Sequence, residues 1–298
     1  MTCPACGSEA TTWLAAPGSE PGDMARYEIA RCASCGSGIT LGREPRAEAY
    51  SSGIYGAGAP RFPRFVGLLQ RLALRLPLGA LERFGVRPPA RVLDAGAGRG
   101  RLVTALTARG YAADGIDPSP RADNVRRAGM LEHTAADLDA VVMWHALEHV
   151  PDPAPALRRA AGWLRPGGVL LVAVPNLASL QARIGGAEWF HLDLPRHRTH
   201  FTPAGLRACM RTAGIEPART WHLVPEHNFH GMWFALLTRL GMTPGFPFHA
   251  LKRNVPLRAR DLALVALAGP LLLPVALVLE LAACAARRGG TIAMAGRA

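Results

Sequence analysis

The chain has 298 residues, of which 49% are hydrophobic and 19% are charged, and its formal net charge is +12. The length and the hydrophobic fraction exclude a disordered or collagen-like chain and predict one large or two smaller globular domains. Six cysteines are too few for a small domain held together by disulfides. Lys252 is the only lysine among 34 scattered basic residues, so the charge reflects an arginine-rich composition and does not favour a nucleic acid as partner.

Residues 1–42 contain two Cys-x-x-Cys pairs, Cys3 with Cys6 and Cys32 with Cys35, and a glycine follows each pair. Four thiolates at this spacing fit one tetrahedral ion with no open position, so we expect a structural Zn²⁺ site in a zinc-ribbon-like head. A redox-active pair and surface thiols are the alternatives. The first ten residues show no basic segment followed by an apolar one, which predicts a cytoplasmic protein with reduced thiols.

Residues 43–90 form a connector that is rich in glycine and proline and has an apolar, helix-like stretch. We place Tyr50 and Tyr55 of this connector near the mouth of the site formed by the next segment. Residues 91–224 alternate short apolar strands with helical stretches, which is typical of an α/β fold with a mostly parallel sheet flanked by helices. The predicted strands are 91–94, 111–116, 141–144 and 169–174, and the predicted helices are 99–109, 155–164 and 203–213.

A glycine-rich loop follows the first of these strands, in the sequence VLDAGAGRG over residues 92–100. Glycines let the backbone approach a bound ligand closely, and the N-terminus of the following helix offers free N–H groups. Asp94 ends the first strand and Asp117 ends the second, where an acid can accept hydrogen bonds from two ribose hydroxyls. The alternative is that both acids only cap the helices that follow.

Histidines follow the later strands, at the edge where sheets of this type bind ligands. His145 and His149 come after the third predicted strand, and His197 and His200 lie in the loop after the fourth. We expect one of the four to act as a general base, with the alternative that each holds a loop carbonyl. The His-x-x-Glu-His spelling of zinc proteases also fits residues 145–149, but a buried strand before it and prolines after it disfavour that interpretation.

Residues 225–298 are apolar and interrupted by prolines, and we expect a final strand within them. The run over 262–279 is uncharged for 18 residues, the lower limit for a helix that spans a bilayer. Pro270 and Pro274 predict two short helices that meet at a kink. The segment 262–286 therefore favours interfacial or re-entrant contact with a membrane. A true span, or a helix pair packed on the protein or in a dimer, are the alternatives.

The glycine loop and three later segments resemble class I S-adenosylmethionine-dependent methyltransferases. The first motif of that family is similar to VLDAGAGRG, with one acid before the glycines and another after the next strand. The segments AVVMWHALEHVPDP (140–153), LRPGGVL (164–170) and PRHRTHFT (195–202) resemble further motifs, the last in a subgroup that includes ubiquinone-biosynthesis-like methyltransferases. Relatives also carry the four-cysteine head. The resemblance covers residues 91–224 and implies a Rossmann-like fold.

The same resemblance implies S-adenosyl-L-methionine as cofactor and assigns roles to residues of the loop. The glycines would line the methionine part of the cofactor, Asp94 would lie near it, and Asp117 would bind the ribose. The set that we expect to contact the cofactor is Asp94, Ala95, Gly96, Ala97, Gly98, Gly100, Asp117, Pro118, Trp144 and His145. Outside this set, Arg196 and Arg198 are expected on a solvated loop, and the apolar stretch over 227–240 is expected in packing.

One region departs from the family pattern. A helix is expected after the second strand, and only residues 130–139 separate it from the next strand. Because a parallel crossover needs about a dozen residues, the third strand of the family must be short or missing. Asp137 is the nearest candidate for the acid that meets the adenine amine in relatives.

Three functions are compatible with these patterns. We favour methyl transfer to a small or lipophilic acceptor, such as a quinone-like, lipid-linked or sugar compound, in the cytoplasm or at the cytoplasmic membrane. The first alternative is an RNA base methyltransferase that grips RNA with the zinc head. The second is a non-catalytic, membrane-associated scaffold with a degraded cofactor site.

Overall fold

The computed structural model describes residues 1–20, 23–42, 45, 61–253 and 255–298, with the backbone alone at Phe65. Tyr50 and Tyr55 lie outside these residues. The strands are β1 (Ala10–Pro17), β2 (Arg26–Cys32), β3 (Gly38–Thr40), β4 (Arg91–Ala95), β5 (Ala112–Asp117), β6 (Arg126–Arg127), β7 (Leu138–Trp144), β8 (Leu164–Pro175), β9 (Thr199–His200), β10 (Glu216–Trp221) and β11 (Thr291–Arg297). The α-helices are α1 (Pro63–Ala73), α2 (Arg75–Arg83), α3 (Arg101–Thr107), α4 (Pro153–Trp163), α5 (Leu180–Gly185), α6 (Pro203–Thr212), α7 (Pro225–Arg239), α8 (Phe246–Lys252), α9 (Ala259–Leu267) and α10 (Gly269–Ala285).

The larger sheet has the strand order β10-β11-β8-β7-β4-β5-β6. Its strands run parallel except β11, which lies antiparallel between β8 and β10. The predicted α/β class with a mostly parallel sheet is confirmed. The sheet nevertheless extends beyond the segment 91–224 assigned to it from the sequence, because β11 follows α7 to α10 in the chain and returns to lie between β8 and the edge strand β10.

Helices cover both faces of this sheet, and β7 illustrates why. Val141 and Met143 are fully buried in one cluster with side chains of α4 and α6. Ala140 and Val142 point to the other face and are fully buried with side chains of α2 and α3. A strand that is buried on both faces has no polar side to alternate with, which explains the continuous apolar runs in the sequence.

The segment after β5 differs from the predicted helix. Residues 118–125 form turns, and the first turn is fixed by the Asp117 Oδ1, which accepts a hydrogen bond from the Ser119 backbone N–H at 2.7 Å. Two prolines in this segment lack the N–H that a helix interior needs. The third strand is indeed short, since β6 has two residues. Asp137 lies exposed just before β7, at the opposite sheet edge from the glycine loop, so the adenine assignment for it was wrong.

A smaller sheet forms the N-terminal head. Its strands β1, β2, β3 and β9 pair antiparallel in that order. Strand β9 belongs to the loop that follows β8, so the head sheet includes two residues of the methyltransferase-like segment. The Thr40 hydroxyl of the head also donates to the His197 carbonyl at 2.7 Å. The head is thereby attached to the loop that carries two of the candidate histidines.

The apolar run forms the two helices that its prolines predict. The axes of α9 and α10 differ by 62° across the break at Ala268, and Pro274 lies inside α10. Within the described residues, no single helix is both long and apolar enough to cross a membrane. The bent pair formed by α9 and α10 satisfies the length and composition of a span.

A buried carboxyl group anchors α10 to the rest of the protein. The Glu280 carboxyl accepts hydrogen bonds from Gln181 Nε2 at 2.9 Å, from Asn228 Nδ2 at 2.7 Å and from the Gly290 backbone N–H at 2.8 Å. These donors come from α5, α7 and the approach to β11. Glu280 therefore connects α10 to three other segments, and it holds one face of an otherwise apolar helix against the protein.

We expect Glu280→Ala to lower the free energy of unfolding by about 3 kcal/mol, because it leaves several buried donors without an acceptor. Urea denaturation followed by circular dichroism measures this change. Glu188→Ala, which removes an exposed carboxyl group, is the control and should stay close to the wild type. Equal stability of Glu280→Ala and the control would contradict the anchoring role.

Candidate active site

The glycine loop closes over the end of β5. The backbone N–H groups of Gly96 and Ala97 both donate to the Ile116 carbonyl, at 2.8 and 3.0 Å. Gly96 has φ +91°, and a Cβ at this position would lie 2.3 Å from the Cβ of Ala146. Only glycine fits here, so the loop presents bare backbone at the carboxyl edge of the sheet.

The two acids of the loop have different environments. Asp94 is 4% exposed, and burial, followed by the charge of Asp117, raises its pKa to about 7. The Asp117 carboxylate accepts a hydrogen bond from the Gly98 backbone N–H at 2.9 Å in addition to the one from Ser119. Helix α3 begins after Gly100 without a side-chain cap, and turns rather than a helix follow β5. Helix capping therefore does not explain either acid.

A cavity of about 350 Å³ opens beside the loop at the carboxyl ends of β4, β7 and β8. The expected cofactor residues that line it are Asp94, Gly96, Ala97, Gly98, Trp144 and His145. Ala95, Gly100, Asp117 and Pro118 are not among its lining residues. The opposite wall is formed by histidines and by residues of α7, so the glycine loop and these histidines face one space.

His145 lies on the wall of this cavity with one ring nitrogen engaged. Its Nδ1 lies 3.3 Å from Glu148 Oε1, and its Nε2 is buried without a hydrogen-bond partner. Burial by itself lowers the pKa of His145, but the hydrogen bond and the charge of Glu148 outweigh it and raise the pKa above its usual value. His145 also has a positive φ of 55°, a strained conformation that is often found at functional sites.

His149 and His197 meet deeper in the same cavity, with ring centroids 4.7 Å apart. The His149 Nδ1 lies 3.3 Å from the Arg196 carbonyl, and the His197 Nδ1 lies 2.9 Å from the His191 carbonyl. Burial, then the neighbouring His149, lowers the pKa of His197 to about 4. Each ring thus holds a loop carbonyl while also facing the cavity.

His200 is the one candidate base that does not line the cavity. It belongs to β9, and its Nε2 lies 2.8 Å from the Thr40 hydroxyl of the head sheet. Burial lowers its pKa to about 3. Its assignment as a candidate base is therefore corrected: the pairing of β9 with β3 holds it in a structural contact away from the cavity.

Sequence reasoning missed four residues of the cavity wall opposite the glycine loop, namely His191, Glu226, His227 and His230. The stretch over 227–240 was expected in packing, and its apolar residues Met232, Phe234 and Leu237 are indeed buried. Its first turn, however, places His227 and His230 on the wall of the cavity. The His-x-x-His spacing at 227 and 230 was the available signal, since residues three apart share one helix face.

Arg196 is fully buried rather than solvated. Its guanidinium forms ion pairs with Asp193 of the same loop and with Glu20 of the head. Arg198 is placed differently, with its Nη2 donating to the Gly42 carbonyl at 3.0 Å. The expectation for Arg196 was wrong because a sequence does not show that two acids lie close enough to compensate its charge.

The four cysteines of the head lie together. The Sγ atoms of Cys3 and Cys35 are 3.8 Å apart and those of Cys6 and Cys32 are 3.5 Å apart, and all four lie within 4.8 Å of one another. Tetrahedral zinc with Zn–S bonds of about 2.3 Å requires sulfur atoms about 3.8 Å apart. The donor set thus fits the predicted ion, and the Cys35 carbonyl accepts a hydrogen bond from the Thr202 hydroxyl just beyond β9 at 2.6 Å.

Comparisons with known proteins identify the family of this chain. A family model described as a methyltransferase domain matches residues 64–219, which is more than half of the chain. A ubiquinone biosynthesis O-methyltransferase of Xylella fastidiosa (strain 9a5c) is 32% identical over 193 residues, which cover 56% of this chain and 75% of that protein.

Two further comparisons are more limited. A protein of the same name from Xanthomonas campestris pv. campestris (strain B100) is 33% identical over 152 residues, or 43% of this chain, and the chain spans 64% of that relative's length. The structure of magnesium protoporphyrin IX methyltransferase from Synechocystis PCC 6803 with bound SAH is 20% identical, covering 56% of this chain and 83% of that chain with a TM-score of 0.43. The family match and the relative from Xylella fastidiosa, rather than this structural similarity, support the assignment. The chain belongs to the S-adenosylmethionine-dependent methyltransferases.

Proposed function

We propose that this protein transfers a methyl group from S-adenosylmethionine to a small or lipophilic acceptor. The observation that carries the proposal is the shared cavity: the glycine loop with buried Asp94 forms one wall, and imidazoles form the other. Methyl transfer is an in-line displacement that depends mainly on positioning, so donor and acceptor must meet in one confined space. The two relatives described above are O-methyltransferases, which supports an oxygen atom as the methyl acceptor.

The residues at the loop fit the cofactor. When bound, S-adenosylmethionine supplies a methyl group on a positively charged sulfur. Asp94 would lie near its cationic methionine part, the bare backbone at Gly96 permits close approach, and Asp117 is held by the Gly98 N–H with lone pairs left for ribose hydroxyls. No arginine or lysine of the loop is needed for this arrangement.

His145 is the residue we assign as general base. Its Nδ1 faces Glu148, which favours the tautomer with the proton on Nδ1 and leaves the Nε2 lone pair without a partner in the protein. A pKa raised above the usual histidine value keeps this nitrogen basic enough to take a proton from an acceptor hydroxyl near neutral pH. Glu148 then stabilises the imidazolium that forms.

We assign Zn²⁺ to the four cysteines, in a structural role. A closed tetrathiolate site leaves no position for substrate, so zinc acts through the fold. Strand β9 and Thr202 transmit this effect, since both connect the head to the loop that carries His197. Zinc therefore supports the acceptor side of the cavity without taking part in the reaction.

A lipophilic acceptor is suggested by the surface of α9 and α10. Large apolar side chains are exposed there, with Leu267 75%, Leu271 74% and Val278 65% accessible. Exposed arginines flank the patch, at positions 258, 260, 287 and 288. An apolar face bordered by arginines suits the interface of an anionic bilayer, while Glu280 holds the opposite face against the protein. We propose peripheral membrane contact through this patch.

The cofactor assignment predicts that Gly96→Ala weakens S-adenosylmethionine binding at least about tenfold, because the new Cβ meets Ala146 and the left-handed backbone is strained. Gly162→Ala is the matched control, since a Cβ at this position in the last turn of α4 meets open space. Isothermal titration calorimetry gives the two dissociation constants. Failure of the wild type to bind S-adenosylmethionine would contradict the proposal.

The acceptor class is identified by a second measurement. A labelled methyl group on the cofactor is followed into the lipid, RNA, protein and small-molecule fractions of a cell extract.

The zinc assignment predicts that Cys32→Ser loses one equivalent of zinc and melts at a lower temperature than the wild type. Cys284→Ser serves as control, because the serine hydroxyl can still donate to the His222 carbonyl as the thiol does. Plasma mass spectrometry counts the metal, and differential scanning calorimetry gives the melting temperature. Unchanged zinc content in Cys32→Ser would refute the assignment.

The membrane assignment predicts that the triple variant Leu267→Ser, Leu271→Ser and Val278→Ser binds phosphatidylglycerol vesicles at least about tenfold less tightly. Co-sedimentation with vesicles measures the affinity. The control carries Met24→Ser and Leu131→Ser, which remove exposed apolar side chains elsewhere. Equal binding by the triple variant and the control would show that the patch does not face lipid.

A further inference from the structure

A cluster of three histidines occupies the acceptor-side wall of the cavity. His191 lies in a short 3₁₀ turn over Phe190–Leu192, and His227 and His230 lie one turn apart on α7. One ring nitrogen of each lies within 4.8 Å of those of the other two. We call these residues the three-histidine cluster. It is separate from the four cysteines.

Each ring of the cluster has one nitrogen that forms no hydrogen bond with the protein. His191 Nε2, His227 Nδ1 and His230 Nε2 are each buried and accept or donate no hydrogen bond within the protein. His191 is only 6% exposed. Buried polar atoms are nearly always paired, so an unpaired nitrogen on each of three neighbouring rings indicates a ligand that the rings share.

Packing positions the rings against each other. A Cβ at residue 231 would lie 2.8 Å from His191 Nε2, so Gly231 allows the His191 ring to approach α7. The His197 ring holds the His191 carbonyl at 2.9 Å, and Phe190 packs edge-on against Phe234 of α7 at 5.3 Å between centroids. The 3₁₀ turn is thereby fixed against the helix that supplies the other two ligands.

A neighbouring combination of groups is a weaker candidate. His145, Glu226 and His227 also bring three donor atoms together. However, Glu226 Oε2 already accepts a hydrogen bond from Trp144 Nε1 at 3.0 Å, and His145 Nδ1 faces Glu148. The three-histidine cluster has no such competing bonds at the nitrogens named above.

We propose that His191, His227 and His230 bind a divalent first-row transition-metal ion such as Zn²⁺, with an open coordination position toward the cavity. Three imidazoles suit such ions, and a three-ligand set leaves room for one more donor. The ligand that this position fits is an oxygen anion, such as the phenolate or carboxylate of an acceptor. The assignment of an acceptor oxygen to this position rests on the proposed methyl transfer, whereas the metal site itself does not.

Metal counting tests the site on the full chain. Chelator-treated protein is reloaded with Zn²⁺ alone, washed and analysed by plasma mass spectrometry. The wild type should retain two equivalents, one at the cysteines and one at the histidines, and the double variant His191→Gln/His230→Gln should retain one. Zinc affinity at the second site should fall at least about a hundredfold in this variant. His222→Gln is the matched control, because His222 also has a buried, unpaired ring nitrogen but lies outside the cavity.

Co²⁺ loading gives a second measurement that needs no variant. Cobalt at four thiolates absorbs by charge transfer in the near ultraviolet, whereas cobalt at imidazoles shows only weaker visible bands. The wild type should fill two spectroscopically distinct sites. A single cobalt site, or equal zinc retention by the double variant and the wild type, overturns the proposal.

S-adenosylmethionine binding separates this result from the proposed function. The double variant should bind the cofactor as the wild type does, since the cluster lies on the other side of the cavity. If the wild type binds two zinc ions but no cofactor, the metal site stands and the proposed function fails. If the wild type binds the cofactor but only one zinc ion, the proposed function stands and the metal site fails.

Discussion

The buried guanidinium of Arg196 is the interaction on which the cavity depends. A charge with no access to water is stable only when it is paired, and Arg196 has one partner in its own loop and another in the head. The path of the loop and the position of the head are therefore fixed together. His197 follows Arg196 directly, and the Arg196 carbonyl contacts the His149 ring, so two cavity histidines depend on this pair of contacts.

Within the cavity, one residue type serves different purposes because the surroundings differ. His145 has a carboxylate partner, and its pKa rises above the usual value. The rings of the three-histidine cluster face one another, and burial lowers their pKa values. His145 and His227 are nevertheless adjacent, with ring centroids 4.2 Å apart. A group suited to receive a proton thus lies beside groups suited to hold an ion, all at the carboxyl edge of a parallel sheet.

The sequence predicted those parts of the site that are formed by residues close together in the chain. The glycine loop and the cysteine pairs are contiguous motifs whose geometry follows from the backbone and from ligand spacing, and the central strands lie where their apolar runs placed them. The failures concern contacts between distant segments. His200 is held away from the cavity by a two-residue strand that pairs with the head. Arg196 is paired with the distant Glu20 of the head as well as with Asp193 of its own loop. His191 meets α7 only because Gly231 leaves space.

The position of β11 has a consequence for how the chain folds. The strand lies between β8 and β10, so both strands keep unpaired edges until residues 291–297 have been synthesised. Helices α9 and α10 leave the ribosome earlier, before Gly290 is available to Glu280. During this interval the Glu280 carboxyl can accept hydrogen bonds from Gln181 and Asn228, which precede it in the chain, but not yet from Gly290. The most apolar helix of the protein is therefore only partly anchored while it is exposed to chaperones or a nearby bilayer, and β11 completes its attachment.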